Sequence, residues 1–162
     1  MLVLMAGLGG TAPVASADDD LSILGGSPST VSAVPDGATA GEGTIECSIK
    51  TDNPHGSGHV GGTINVESHV TCSGANNGNV ASLTAQTQLW RITPPPERMR
   101  LGKQKSNQNM NNIETYADTP CIAQSYQYYG IGIANVVFPP GYKPPTARIG
   151  HQGPTVSVLC GS

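Results

Sequence analysis

Large apolar side chains in this chain recur at every second position, in short runs that turn residues separate. Because the side chains of a β-strand point alternately to opposite faces, this period predicts half-buried strands and not helices. The runs lie at 44–50, 63–73, 79–93, 121–138 and 155–160; the apolar face of the first is Ile45, Cys47 and Ile49, and that of the second is Ile64, Val66, Val70 and Cys72.

Glycine, proline and asparagine mark the ends of these runs. The segments 53–56, 73–78 and 139–141 have the composition of turns. Gly130 and Gly132 lie inside the run 121–138 and predict a bulge or a break into two strands. Six or seven short strands joined by turns predict an all-β fold, a single immunoglobulin-like antiparallel β-sandwich.

The first 43 residues differ in composition from the rest of the chain. An apolar run interrupted by Gly and Pro leads to Ala15-Ser16-Ala17 and three aspartates, which is typical of the second half of a secretory signal peptide. We therefore expect residues 1–17 to be a signal peptide that is truncated at its start, residues 18–43 to be a flexible Gly/Ser/Pro-rich leader, and residues 44–162 to be the β-sandwich domain. The mature chain is predicted to be secreted and to have no membrane span.

Composition narrows the classes of function. Only 12% of the residues are charged, one residue is Phe, and the formal net charge is −3. A nucleic-acid-binding domain needs a basic face, so this balance argues against a nucleic-acid partner. The abundance of Gly, Pro and small polar residues is typical of an extracellular β-domain with long loops.

The four cysteines are Cys47, Cys72, Cys121 and Cys160. None forms a Cys-x-x-Cys pair, which disfavours a zinc ribbon or a thioredoxin-like site. In an oxidising compartment four separated cysteines usually form two disulfides, with three possible connectivities. We favour Cys47–Cys72 and Cys121–Cys160, because these pairs close the shorter loops.

One resemblance follows from these motifs. The stretch from Cys47 to Ser57 with its Asn-Pro-His loop, the strand that ends in Cys72, and the final Val-x-Val-x-Cys at 156–160 together resemble small secreted proteins of actinobacteria. The resemblance covers residues 44–160. It implies export and supplies no catalytic residues.

Three histidines lie near two carboxylates in the sequence. His55 and His59 are four residues apart, His69 follows in the next predicted strand, and Asp52 and Glu67 are close by. Neutral imidazoles with a carboxylate form a ligand set that zinc and copper accept. His55, His59 and His69 are therefore a candidate metal site, with exposed histidines of no special function as the alternative.

The segment 93–112 is the longest stretch that lacks apolar alternation. It begins with three prolines after Thr93 and carries Arg98, Arg100, Lys103 and Lys105. A long basic loop predicts contact with an anionic cell-wall polymer or glycan; the alternative is a solvated, mobile loop.

Tyr126 and Tyr128 share one face of their predicted strand. Two aromatic rings on one face can stack against sugars. Tyrosine also has high strand propensity and often covers the edge of a core, so the sequence leaves both interpretations open.

No combination of residues is typical of a catalytic site. We therefore expect a secreted, non-enzymatic binding or cell-envelope-associated β-domain that uses no cofactor. The alternatives are a metal-dependent extracellular enzyme using His55, His59 and His69, and an inhibitor or toxin that presents the 93–112 loop.

Overall fold

The computed structural model describes residues 28–39, 41–58 and 60–159. The predicted signal peptide 1–17, the first part of the predicted leader, and Cys160 lie outside these residues. The described strands are β1 (Ser29–Pro35), β2 (Ile45–Thr51), β3 (His55–Gly56), β4 (Thr63–Gly74), β5 (Val80–Arg91), β6 (Glu97–Leu101), β7 (Lys105–Met110), β8 (Asn112–Pro120), β9 (Tyr126–Val137), β10 (Tyr142–Lys143), β11 (Thr146–Gln152) and β12 (Val156–Val158).

The strands form two antiparallel sheets that pack face to face in a sandwich-like, all-β arrangement. The first sheet has the order β10-β1-β2-β4, with β3 and β8 also paired to β4. The second has the order β11-β9-β5-β6, with β12 paired to β9 and β7 paired to β5. All of these pairings are antiparallel.

The alternation seen in the sequence predicts the inner faces of β2 and β4 correctly. In β2 the residues at 45, 47, 49 and 51 are buried, and the residues between them are exposed or half-buried. Burying one large aliphatic side chain stabilises the fold by about 1.5–3 kcal/mol. The predicted turn at 73–78 is also present, as a 3-10 turn over Ala75–Gly78 in which Asn76 and Asn77 adopt left-handed backbone angles.

The folded part of the chain begins before the predicted boundary at residue 44. β1 lies within the predicted leader, pairs with β2 from Ser29 opposite Ile49 to Ala33 opposite Ile45, and buries Ala33. The prediction of a flexible leader over 18–43 is therefore wrong for this strand. The sequence analysis missed this strand because its inner face carries only Val31 and the small Ala33 between Ser29 and Pro35, which is too short an alternation to recognise.

The segment 93–112 is not the irregular loop that we expected. It forms β6 and β7, which pair with the outer edge of β5. Most of its side chains are exposed, so polar residues are tolerated on both faces and no alternation is visible. β9 likewise runs unbroken through Gly130 and Gly132, where the sequence predicts a bulge or a break.

Cys47 and Cys72 lie directly opposite each other on β2 and β4 and form a disulfide with a Cα–Cα distance of 4.0 Å. Both residues are buried in the larger of two apolar clusters between the sheets. None of the cysteines at 47, 72 and 121 is a free thiol. This confirms one predicted bridge, and the second stays a prediction.

A layer of polar and small residues separates the larger apolar cluster from the smaller one. Each sheet contributes three laterally adjacent residues to this layer, because they lie in register on neighbouring strands. We refer to the six residues as the polar layer: Thr51, Ser68 and Thr115 of the first sheet, and His151, Gly132 and Thr87 of the second.

Candidate functional site

β2 and β3 pair with the same edge of β4, and a bulge separates them. Three residues, 52–54, lie between Thr51 and His55, whereas only two lie between their partners Ser68 and Asn65. One extra residue on one strand defines a β-bulge. Bulges often lie near functional sites, where they change the direction of a side chain. The Asn-Pro-His motif of the sequence therefore corresponds to a local irregularity in the first sheet.

Asp52, Glu67 and His69 come together on the outer face of the first sheet, beside this bulge. His69 Nε2 lies 3.2 Å from Asp52 Oδ2 and 3.9 Å from Glu67 Oε2. One ligand atom from each of the three residues lies within 4.8 Å of the others. Within the described part of the chain, these three residues could hold a metal ion.

The structure changes the histidine set that the sequence suggested. His55 is exposed, and its Nδ1 lies 2.9 Å from the carbonyl oxygen of Asn53. His59 is outside the described residues. Of the two predicted ligands that the structure describes, His55 and His69, only His69 lies among the candidate ligands, together with Asp52 and Glu67, which are near it in the sequence.

Lys50 and Asp52 form an ion pair at the edge of this cluster, with Lys50 Nζ 2.9 Å from Asp52 Oδ1. Burial alone raises the pKa of Asp52, but the hydrogen bond and charge of Lys50, together with His69, outweigh burial and lower it. Asp52 is therefore an anion at neutral pH.

Next to the cluster the first sheet has a shallow depression of about 480 Å³. Glu67 and Glu114 line it together with Tyr116 and Asp118, and Ser57, Val60, Thr63 and Asn65 complete its lining. The sequence analysis missed Glu114, because only the pairing of β4 with β8 places it opposite His69.

The structure does not support the predicted sugar platform of Tyr126 and Tyr128. Tyr128 is 1% exposed, and burial raises its pKa although Arg91 opposes that shift. The guanidinium of Arg91 lies 4.8 Å from the ring centroid of Tyr126 and covers it. Both tyrosines lie on the face of β9 that carries Gly130 and points towards the first sheet, so the prediction is wrong.

A different aromatic pair lies on the outer face of the second sheet. Trp90 and Tyr129 are directly opposite each other on β5 and β9, with ring centroids 6.1 Å apart and ring planes within 9° of parallel. The guanidinium carbon of Arg98 is 6.0 Å from the Trp90 ring centroid. A shallow depression of about 610 Å³ adjoins Trp90 and is bordered by the prolines at 94–96 and by Arg98.

The basic residues of the segment 93–112 do not form one patch. Arg98 lies over Trp90, whereas Lys105 lies 5.3 Å from the ring centroid of Tyr116, which belongs to the first sheet. Arg100 and Lys103 are exposed. Contact of this segment with an anionic polymer or glycan stays a prediction.

Comparison with other proteins adds no family assignment. No protein-family model, curated protein or solved structure matches this chain. Among the described residues there is no helix with the length and apolar character that a bilayer crossing requires.

Proposed function

We propose that this chain is an exported, non-enzymatic β-domain that binds an anionic glycan through the surface formed by Trp90, Tyr129 and Arg98. The observation that carries the proposal is the parallel arrangement of the two rings, 6.1 Å apart on an outer sheet face. Aromatic side chains combine a large apolar area with defined geometry, and the apolar faces of sugar rings pack against such surfaces.

The orientation of the Trp90 ring is fixed before any ligand binds. Its Nε1–H donates a 3.0 Å hydrogen bond to Gln88 Oε1, and Gln88 is itself buried. A preorganised side chain loses little conformational freedom on binding, so more of its contact energy contributes to affinity. This supports a binding role for the aromatic pair.

Arg98 supplies the preference for anionic sugars. A guanidinium group binds carboxylate or phosphate groups through two parallel hydrogen bonds, in addition to stacking on aromatic rings. The depression beside Trp90 is open and shallow, which suits a chain of sugar units lying along the surface. Enclosed cavities are instead typical of sites for small molecules.

Intrinsic fluorescence tests this proposal directly, because Trp90 is the sole tryptophan of the sequence. Titration with polygalacturonate, a polymer of acidic sugars, should change the Trp90 emission and retard the protein in affinity electrophoresis. A neutral polysaccharide such as pullulan should change the emission less and should retard the protein less. Trp90→Ala and Arg98→Gln should each raise the dissociation constant obtained from the retardation at least about tenfold. This corresponds to a loss of about 1.4 kcal/mol in binding free energy.

Tyr116→Ala is the matched control, because Tyr116 is 50% exposed and lies on the first sheet. We expect its retardation to equal that of the unmodified protein. Equal loss in Trp90→Ala and Tyr116→Ala, or no retardation by the acidic polymer, would show that the glycan proposal is wrong.

We also infer an immunoglobulin-like sandwich and a second disulfide, Cys121–Cys160. Two antiparallel sheets packed face to face support the first inference. The pairing of Val158 with Tyr126 supports the second, because these residues are close in sequence to the two cysteines. Mass spectrometry of a non-reduced digest should yield the cross-linked peptide pair, and export predicts that the chain isolated from the medium starts after Ala17.

A further inference from the structure

Asp52, Glu67 and His69 bring three metal-ligand groups together, and none of the three belongs to the proposed glycan surface. We propose that these three side chains form a binding site for one divalent transition-metal ion of the zinc type. Each residue offers one atom to a common point: Oδ2 of Asp52, Oε2 of Glu67 and Nε2 of His69. The site lies on the first sheet, whereas Trp90 and Tyr129 lie on the second.

The other polar atom of each carboxylate ligand has its own partner. Asp52 Oδ1 is paired with Lys50 Nζ at 2.9 Å, which leaves Oδ2 for the metal. Glu67 Oε1 accepts a 2.8 Å hydrogen bond from Asn65 Nδ2, which leaves Oε2. Such outer partners orient the ligands of protein metal sites before the ion arrives.

A carboxylate also lies beside the second ring nitrogen of His69. Its Nδ1 lies 3.5 Å from Glu114 Oε2, on the opposite side of the ring from the two candidate carboxylate ligands. Nε2 makes a 3.2 Å hydrogen-bond contact with Asp52 Oδ2, which a metal ion would replace once the ring proton is on Nδ1, facing Glu114. A histidine held between a carboxylate and an ion is a frequent arrangement in zinc proteins.

The spacing of the three ligand atoms fits a small transition-metal ion. With bonds of about 2.0 Å in a tetrahedral site, neighbouring ligand atoms are about 3.3 Å apart. His69 Nε2 and Asp52 Oδ2 are already at 3.2 Å, and Glu67 Oε2 at 3.9 Å from Nε2 needs only a small side-chain movement. An imidazole ligand favours zinc over calcium or magnesium, which prefer oxygen alone.

The charge around the site favours a cation. The carboxylates of Asp52, Glu67 and Glu114 lie around one imidazole, and Lys50 supplies one compensating positive charge. The side chains of Asp52, Glu67 and His69 are 35–38% exposed, so water can complete the coordination.

Isothermal titration calorimetry with zinc chloride, after dialysis against EDTA, tests the proposal. We expect one ion per chain, and no comparable binding of calcium chloride. His69→Gln and Asp52→Asn should each weaken zinc binding at least about 100-fold, whereas Glu114→Gln should weaken it about 10–100-fold through the orientation of His69. Far-UV circular dichroism of each variant in EDTA checks that it remains folded.

His55→Gln and Glu46→Gln are the matched controls, because they remove an exposed histidine and an exposed carboxylate outside the ligand set. Both should bind zinc like the unmodified protein. The proposal is overturned if zinc does not bind, if the His69 and Asp52 variants bind normally, or if His55→Gln abolishes binding. Failure here leaves the glycan measurements unaffected, since those report on Trp90.

Discussion

The imidazole of His151 accepts a 2.8 Å hydrogen bond at Nδ1 from the backbone N–H of Thr51, a residue 100 positions earlier in the chain. The Thr51 hydroxyl in turn donates a 3.0 Å hydrogen bond to the carbonyl oxygen of His151. An imidazole that accepts at Nδ1 carries its proton on Nε2 and is neutral. These two bonds join the sheets through the polar layer and fix the charge state of a buried histidine.

The free energy of unfolding should therefore fall when the pH is lowered through the range in which histidines ordinarily take up a proton. Burial lowers the pKa of His151, the charge of Lys50 lowers it further, and Asp52 opposes this in part. The unfolded chain thus takes up the proton at a higher pH than the folded chain. Stability is lost as pH falls from about 6.5 towards the folded pKa, by at most about 1.4 kcal/mol per pH unit.

Urea unfolding between pH 7.5 and 5.0 measures this dependence. His151→Asn should be less stable than the unmodified protein at pH 7.5 but should lose less stability on acidification. His55→Gln, which changes an exposed histidine, should keep the full dependence. The Asp52 contribution falls outside this window, because its pKa is lowered from 3.8. A His151→Asn variant with an unchanged pH slope would contradict the assignment.

A second prediction concerns the hydroxyl pair of the polar layer. Thr87 Oγ1 and Thr115 Oγ1 are 2.7 Å apart, and both residues are fully buried on opposite sheets. Thr87→Val leaves the Thr115 hydroxyl without this partner, at a cost of about 1–3 kcal/mol. The double variant Thr87→Val/Thr115→Val removes both hydroxyls. Its loss of unfolding free energy should be smaller than the sum of the losses of the two single variants. A double-mutant cycle measures the coupling, and strictly additive losses would refute it.

Alternation predicted the strands that bury large apolar side chains, and it failed where polar or small residues face inwards. β8 buries Ile113 and Ala117, but Thr115 lies between them on the same face and Thr119 follows, so its inner face has no apolar run. The inward threonine is explained only by Thr87 on the other sheet. A hydrogen bond across the interior has no signal in the sequence near either partner.

The candidate sites were predictable only in part for a related reason. The sequence places Asp52 and Glu67 near His69, but the pairing of β4 with β8 decides that Glu114 joins them. Similarly, alternation places the neighbours Leu89 and Trp90 on opposite faces of β5, yet the partner of Trp90, Tyr129, follows only from the register of β5 with β9. Residue types are local information, whereas strand register depends on the whole sheet.

The disulfide between β2 and β4 should account for a measurable part of the stability. It links Cys47 and Cys72 across a sequence separation of 25. In the chain-entropy model, closing a loop of this length stabilises the fold by about 3.5 kcal/mol. The double variant Cys47→Ala/Cys72→Ala should lose about this amount in urea unfolding at pH 7.5. A loss below about 1 kcal/mol would mean that the bridge constrains the unfolded chain little.

The final prediction tests the close approach of the two sheets at Gly132. A Cβ atom at this position would lie 2.5 Å from Ser68 Oγ and 2.6 Å from Thr51 Oγ1. Because both neighbours are held in the polar layer, Gly132→Ala must separate the sheets or break the hydrogen bonds of Thr51. We expect a loss of about 1–3 kcal/mol or more in the free energy of unfolding.

Gly61→Ala is the control for this change, because a Cβ atom there would meet no atom within 4 Å. Its effect should stay within about 0.5 kcal/mol. If Gly132→Ala also weakens the pH dependence that His151 confers, the glycine acts through the bonds between Thr51 and His151. Equal stability of the two glycine variants would show that the sheets have room for a methyl group, and that close packing does not explain Gly132.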